Sequence, residues 1–413
     1  MRAASLAFFA LALALAPWAL GADQRPLRSP ASGRPLLSPD GPAYRDELLG
    51  LHRALVSVES ISGNEGKVGR FLGRRLEARG YTVTRQHVPP RAGTPDGAER
   101  LNLLAWRGGR DAKPRVVVTS HIDVVPPYIP YGIDSDGPVT RDTVIKGRGS
   151  VDAKGSVASM IVALDQLLAS GAVDGEDVML LFVVGEEVAG DGMLTFGASL
   201  DETDPPRRFD AVIFGEPTDN KLACGHKGAL FCEVTASGTP GHSGYPWLGK
   251  SANELMIRAM AKVLDADLGS TDLFGNTTVN IGRFDGGLAA NVIPEHALVK
   301  LGARVAAGSE SEGARVVRRK IRRILDEVDG EALHLSCSPG YGPVKCNCDV
   351  PDFETIVVNY GTDVANLKGD HTRYLYGPGS ILVAHGAREN LTVGDLETAV
   401  EGYKKLILHA LKQ

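Results

Sequence analysis

The sequence predicts an α/β fold, a mainly parallel sheet in a larger domain, with a smaller ferredoxin-like α+β lid domain inserted into it. Three observations predict it. Short, continuously apolar runs alternate with helical patterns along most of the chain, which marks strands buried on both faces. Between about residues 226 and 336 the rhythm changes to strand, helix, two strands, helix, strand, the split βαβ order. The 413 residues, 43% hydrophobic and 23% charged, are enough for two cores of ordinary soluble composition.

Taken in order, the chain opens with Arg2 and an apolar run from Ala3 to Ala16, followed by the small residues Ala19, Gly21 and Ala22. That layout reads as a secretory signal peptide over 1–22, so the protein is expected to be secreted. Pro17 interrupts the run and weighs against a membrane anchor. Residues 23–41, rich in Pro, Gly, Ser and Arg, read as a disordered leader. The larger domain then fills 42–225 and 337–413, and the lid 226–336.

A helical face begins near Pro42 with Leu48, Leu49, Leu51, Leu55 and Val56, and a second helix over 65–79 stops at Gly80. Buried strands of a largely parallel sheet are expected at Leu101–Trp106, Val116–Thr119, Val178–Val184, Ala211–Phe214 and Ser380–Ala384, with helices over 153–170 and 191–199. In the lid, strands are expected at Leu230–Ala236, 279–284, 296–305 and 332–336, and helices at 251–265 and 311–328. The five cysteines are an odd count. Secretion permits a bridge between Cys337 and the Cys346/Cys348 pair, with buried free thiols as the alternative. Asn276-Thr277-Thr278 and Asn390-Leu391-Thr392 are acceptor sequons for glycosylation.

Several classes of function are excluded. A net charge of -5 offers no footprint for nucleic acid or an anionic membrane. No Gly-x-Ser-x-Gly elbow occurs, which speaks against a serine hydrolase. No strand leads into Gly-x-Gly-x-x-Gly at a helix start, so a nicotinamide enzyme is also set aside.

What remains is a set of polar residues placed at the ends of the apolar runs. Val116–Thr119 runs into Ser120-His121-Ile122-Asp123, and Val178–Val184 into Gly185-Glu186-Glu187. Ala211–Phe214 leads to Gly215-Glu216, Ser380–Ala384 leads to His385, and Asp152 precedes a helix. Open α/β sheets gather their sites at the carboxyl ends of strands, so these residues can converge. His121, Asp152, Glu187, Glu216 and His385 supply two imidazoles and three carboxylates, a donor mixture that zinc accepts. Five donors exceed one tetrahedral ion and suit two, if one carboxylate bridges.

Here the sequence resembles the zinc exopeptidase family of glutamate carboxypeptidase, succinyl-diaminopimelate desuccinylase, acetylornithine deacetylase and aminoacylase. The likeness covers roughly 45–413. It rests on Ser-His-Ile-Asp-Val-Val-Pro, Gly-Arg-Gly-Ser-Val-Asp-Ala-Lys-Gly, Gly-Glu-Glu-Val, Gly-Glu-Pro-Thr and Ala-His-Gly. The resemblance implies two Zn2+ per subunit, with Co2+ or Mn2+ as substitutes. Asp152 would bridge them, His121 and Glu216 completing one site, Glu187 and His385 the other. It implies Glu186 as general base, Asp123 behind the His121 imidazole, and a cis peptide between Asp152 and Ala153. On the lid it implies His242 beside the oxyanion and Asn291 and Arg304 on the substrate carboxylate; Gly379 belongs to a substrate-facing turn. A homodimer through the lid, with His242 acting in the partner's site, is also implied.

The loop Val124–Tyr131, rich in Pro and Tyr, departs from the Trp many members carry there. The expected substrate is a small peptide or an N-acyl amino acid. Carboxypeptidase is the leading activity, N-acyl-amino-acid amidohydrolase and dipeptidase are the alternatives, and an inactive metal-binding homologue is the reading from a different class.

Overall fold

The computed structural model describes residues 41–134, 137–203 and 205–412. The signal-peptide reading and the leader up to residue 40 lie outside the described residues. Among those described, no helix is long and apolar enough to cross a membrane.

A six-stranded sheet organises the larger domain. Its spatial order is Thr82–His87, Leu101–Trp106, Val178–Val183, Val116–His121, Ala211–Gly215, Thr372–Tyr376. The last four strands run parallel, whereas Leu101–Trp106 pairs antiparallel with both neighbours. The sheet is thus mainly parallel, as expected, with Leu101–Trp106 and its outer neighbour as the antiparallel part. Alternate residues of one strand feed different cores. Val116, Val118, Leu180 and Phe182 pack with helices Arg45–Val56, Lys154–Ala169 and Val393–Ala410. Val117, Met179 and Leu181 pack on the opposite face with Met193 and Phe196 of helix Asp191–Asp201. Both faces being covered explains why these strands read as unbroken apolar runs.

The inserted unit has the predicted order: strand Gly228–Ser237, helix Ala252–Asp265, strands Thr278–Gly286 and His296–Val305, helix Gly313–Asp329, strand Leu333–Cys337. Its sheet is antiparallel throughout, and the first strand lies inside, between the third and fourth. Both helices pack on one face, over Leu230, Val234, Val299 and Leu301. Burial therefore alternates along His296–Val305, with Lys300 and Arg304 turned out.

Two expectations fail. Ser380–Ala384 is no strand: Ile381–Val383 is a short 3-10 turn with Leu382 89% exposed, and the sheet's edge strand is Thr372–Tyr376. Val383 and Ala384 pack against the core from the short turn itself, so the run's burial does not need a strand. Cys337 does not bridge to Cys346 or Cys348. It pairs with Cys232, opposite it in the lid sheet, while Cys348 pairs with Cys224 and Cys346 stays free. Sheet register, not nearness in sequence, chose the partners.

Candidate active site

The parallel strands end level with one another. His121 lies opposite Val183 in register, and Tyr376 opposite Gly215. The residues that follow are delivered to one rim, as an open α/β sheet requires.

Five expected ligands meet there. His121 Nε2 lies 3.1 Å from Asp152 Oδ1 and 3.9 Å from Glu216 Oε1. His385 Nε2 lies 3.3 Å from Asp152 Oδ2 and 2.8 Å from Glu187 Oε2. Asp152 thus turns one oxygen to each imidazole, the disposition expected of a bridge. Ligand atoms of His121, Asp152 and Glu187 all lie within 4.8 Å of one another, as do those of His121, Glu186 and Glu216. The two halves differ in access: the His121 side chain is 1% exposed and that of His385 55%.

The frame holding these groups is itself built of buried charges. Glu389 accepts from the backbone N–H groups of Gly149 (2.9 Å), Val151 and Asp152 (both 3.3 Å), fixing the Asp152 loop. The same carboxylate pairs with Arg148, which donates to the His385 carbonyl at 3.2 Å and so joins the two loops. The peptide between Asp152 and Ala153 is cis, as the resemblance implied. Asp123 is placed differently in detail. His121 Nδ1 meets the Asp123 carbonyl at 3.0 Å and its carboxylate only at 3.6 Å. The carboxylate accepts instead from the N–H groups of Glu186 (3.2 Å) and Glu187 (3.3 Å), and from Ser62 Oγ at 2.7 Å. It positions the acidic turn as well as the imidazole.

The electrostatics of the cluster call for positive charge. Burial opposes charge on His121, but the Asp152 hydrogen bond and then Glu216, Glu186 and Asp123 outweigh it and raise its pKa well above the ordinary value. Hydrogen bonds to Asp152 and Glu187 lift His385 to about 10. Burial first and Asp152 second push Glu187 up to about 7, and burial with the neighbouring Glu216 holds Glu186 well above the carboxylate range. Glu187 Oε1 is buried with no hydrogen-bond partner. Four carboxylates (Asp152, Glu186, Glu187, Glu216) face two imidazoles, and a buried, unpartnered carboxylate oxygen is costly unless a cation meets it. The donor set therefore fits bound divalent metal, and its nitrogen and oxygen donors suit zinc.

The remaining expected residues are divided. His242 and Asn291 neighbour each other on exposed lid loops, where His242 bridges to Val292 and Ser243 N–H donates to the Asn291 carbonyl at 3.1 Å. Among the described residues no contact joins either to the cluster. Arg304 lies elsewhere, over Gly361 of the larger domain. Gly379, with φ 71°, is buried, and its carbonyl accepts from Asp219 N–H at 2.8 Å, bracing the loop after Glu216.

Sequence reading missed Asp363 and Tyr360. Asp363 is buried beside the acidic turn: a Cβ on Gly190 would lie 2.8 Å from its Oδ1, and its Oδ2 has no partner. Burial raises its pKa to about 6. Tyr360 donates its hydroxyl to the Pro217 carbonyl at 2.7 Å, next to Glu216. Both follow the run Ile356–Val358, and Asp363 also follows Gly361, but three apolar residues are too short a run to stand out beside the longer ones.

Comparison with known proteins agrees with this geometry. Residues 224–333 match the model of a peptidase dimerisation domain. A peptidase M20 domain-containing protein of Sordaria macrospora is 53% identical over 400 residues, covering 92% of this chain and 88% of its own. A probable carboxypeptidase of Aspergillus fumigatus is 46% identical over 389 residues, covering 88% and 87%. Among solved structures, a tripeptidase from Staphylococcus aureus superposes with TM-score 0.71 at 20% identity, over 89% of this chain and 99% of that one. A dinuclear metal binding peptidase from Bacillus subtilis does so with 0.63 at 17% identity, over 90% and 99%.

Proposed function

The chain belongs to the M20 peptidase family, and on that premise we propose that it is a secreted two-zinc carboxypeptidase that cleaves a peptide bond next to a free C-terminal carboxylate. The observation that carries the two-metal reading is Asp152, whose oxygens face two imidazoles on opposite sides. In this reading Asp152, His121 and Glu216 would hold one cation, and Asp152, Glu187 and His385 the other. Bound there, two cations would polarise the scissile carbonyl and make a water acidic near neutral pH.

The chain's own residues then manage the protons. The Glu186 carboxylate takes a proton from the attacking water as the carbon–oxygen bond forms. It returns that proton to the amide nitrogen as the carbon–nitrogen bond breaks, leaving a free amine and a carboxylic acid whose own proton then passes to the amine, so that the products are a carboxylate and an ammonium. A raised carboxyl pKa suits a group that must both accept and release a proton near neutrality. Asp123, through the N–H groups of Glu186 and Glu187, holds base and ligand in register.

Two further parts belong to the proposal. The lid pairs with a second copy, supported by the match to a dimerisation domain and by the mostly exposed edge strand Thr278–Gly286, so that His242 and Asn291 serve the partner's cleft. Export is supported by two disulfides, which persist in oxidising compartments. Carboxypeptidase is preferred over amidohydrolase because relatives of matching length are named probable carboxypeptidases. A hydrolysis panel on zinc-loaded protein tests the choice. N-blocked dipeptides with a free C-terminus should be cleaved faster than N-acetyl amino acids, and the reverse order would establish the amidohydrolase.

A further inference from the structure

One aromatic residue beside the cleft has no part in the chemistry above. Tyr341 lies where the chain returns from the lid, its N–H bonded to the Ala229 carbonyl at 3.0 Å. Its ring stands edge-on to that of His226, with centroids 6.2 Å apart. A Cβ built on Gly361 would lie 2.2 Å from the Tyr341 hydroxyl oxygen and 3.9 Å from Arg304 Nη1. The phenol and the guanidinium thus converge over one glycine, which keeps the space between them clear. Among the described residues the hydroxyl has no hydrogen-bond partner.

The same hydroxyl lies within the field of the proposed base. Burial first and the negative charge of Glu186 second raise the phenol to about 12, with Arg304 acting the other way. It therefore stays protonated throughout the working range and faces an anion as a donor. The phenol has the guanidinium beside it and lies within the field of the base. A peptide's last residue likewise carries its carboxylate a short way from its scissile amide.

We propose that Tyr341 is a specificity-determining residue whose hydroxyl, with the Arg304 guanidinium, grips the free C-terminal carboxylate of the peptide. This rests on the carboxypeptidase reading and adds a second donor from the larger domain to the one on the lid. A carboxylate accepts several hydrogen bonds, and a charged acceptor strengthens each. A substrate held between Arg304 on the lid and Tyr341 on the return strand would also draw the two domains together.

The test is a kinetic cycle on full-length, zinc-loaded enzyme with an N-blocked dipeptide bearing a free C-terminus, using Tyr341→Phe, Arg304→Lys and the double variant. Phe keeps the ring on His226, so the melting temperature should hold and report an intact fold. Tyr341→Phe is expected to raise KM about tenfold with kcat within twofold. In the Arg304→Lys background the same change should raise KM far less, because the shared carboxylate has already lost its fork. A fall in kcat at unchanged KM, an unchanged KM, or an equal KM penalty in both backgrounds would overturn the assignment. An unchanged KM in Arg304→Lys alone would instead defeat the carboxylate anchor, and with it the carboxypeptidase reading.

Discussion

The two sheets of this molecule obey opposite rules. The six-stranded sheet is covered on both faces, and every residue of Val116–His121 and Val178–Val183 is buried. The lid sheet is covered on one face only and leaves Phe231, Lys300 and Arg304 facing out. A doubly covered sheet cannot tilt or slide without disturbing two cores, so residues at its ends stay where the strands deliver them. A singly covered sheet can meet other surfaces with its bare face. The cluster stands at the end of the first sheet, and most of the residues proposed to greet substrate or a second subunit belong to the lid that carries the second.

The strongest way to break that comparison is at the acidic turn. Glu186→Gln should lower kcat by about a thousandfold, within the range for loss of a general base, while metal analysis still finds two ions per chain. Loss of one ion would place Glu186 among the ligands and leave the base unassigned. The next largest effect concerns packing. Leu180→Ala, in the core beneath the buried sheet, should cost about 2–5 kcal/mol in chemical denaturation. Leu288→Ala, on a lid loop where the side chain is 95% exposed, should change stability by less than about 0.5 kcal/mol. Similar costs at both sites would erase the distinction between the two regions.

The smallest effect is a pH dependence. His52 Nε2–H donates to the Ser150 carbonyl at 2.8 Å, deep in the larger domain. Burial lowers its pKa from 6.5 to about 4, and His226 at the domain junction is lowered to about 4 for the same reason. The unfolded chain binds these protons at a higher pH than the folded one. Their contribution to stability is therefore intact above about pH 6.5 and is lost progressively as pH falls towards 4. Denaturation midpoints measured at pH 7 and pH 5 should show the decline, and His52→Asn should flatten part of it. An unchanged slope in that variant would acquit His52.

Much of this was legible in the sequence because burial leaves a plain trace. Val116–Thr119 and Val178–Val184 had to be strands buried twice over, and the glycine-bounded acids after them had to lie at the sheet's rim. Where burial and apolarity part company, the reading failed. The run before His385 is apolar yet only half-buried, with Leu382 exposed, and the true edge strand, with Thr372 and Arg373 half-buried, does not look like one. The cysteine partners depend on lid register, which no local spacing reveals. Tyr341 owes its place to a chain return far from the ligand motifs, and Asp363 follows an apolar run of only three residues, Ile356–Val358, too short to mark it.

The two disulfides have a mechanical meaning. The chain enters the lid through residues 224–232 and leaves it through 337–348. These segments run side by side, with His226 opposite Val344, Ala229 opposite Tyr341 and Cys232 opposite Cys337. Cys224–Cys348 closes one end of this pair and Cys232–Cys337 the other, making a covalent ring out of the two passages into and out of the lid. A ribbon riveted at both ends flexes across its flat face but resists torsion, so the lid is left to nod over the cleft and not to swivel. A protease that cut one passage inside the ring would open a loop without freeing a strand end from its neighbour. Reduction would remove the rivets together with that restriction, exchanging a hinge for a pair of loose cords.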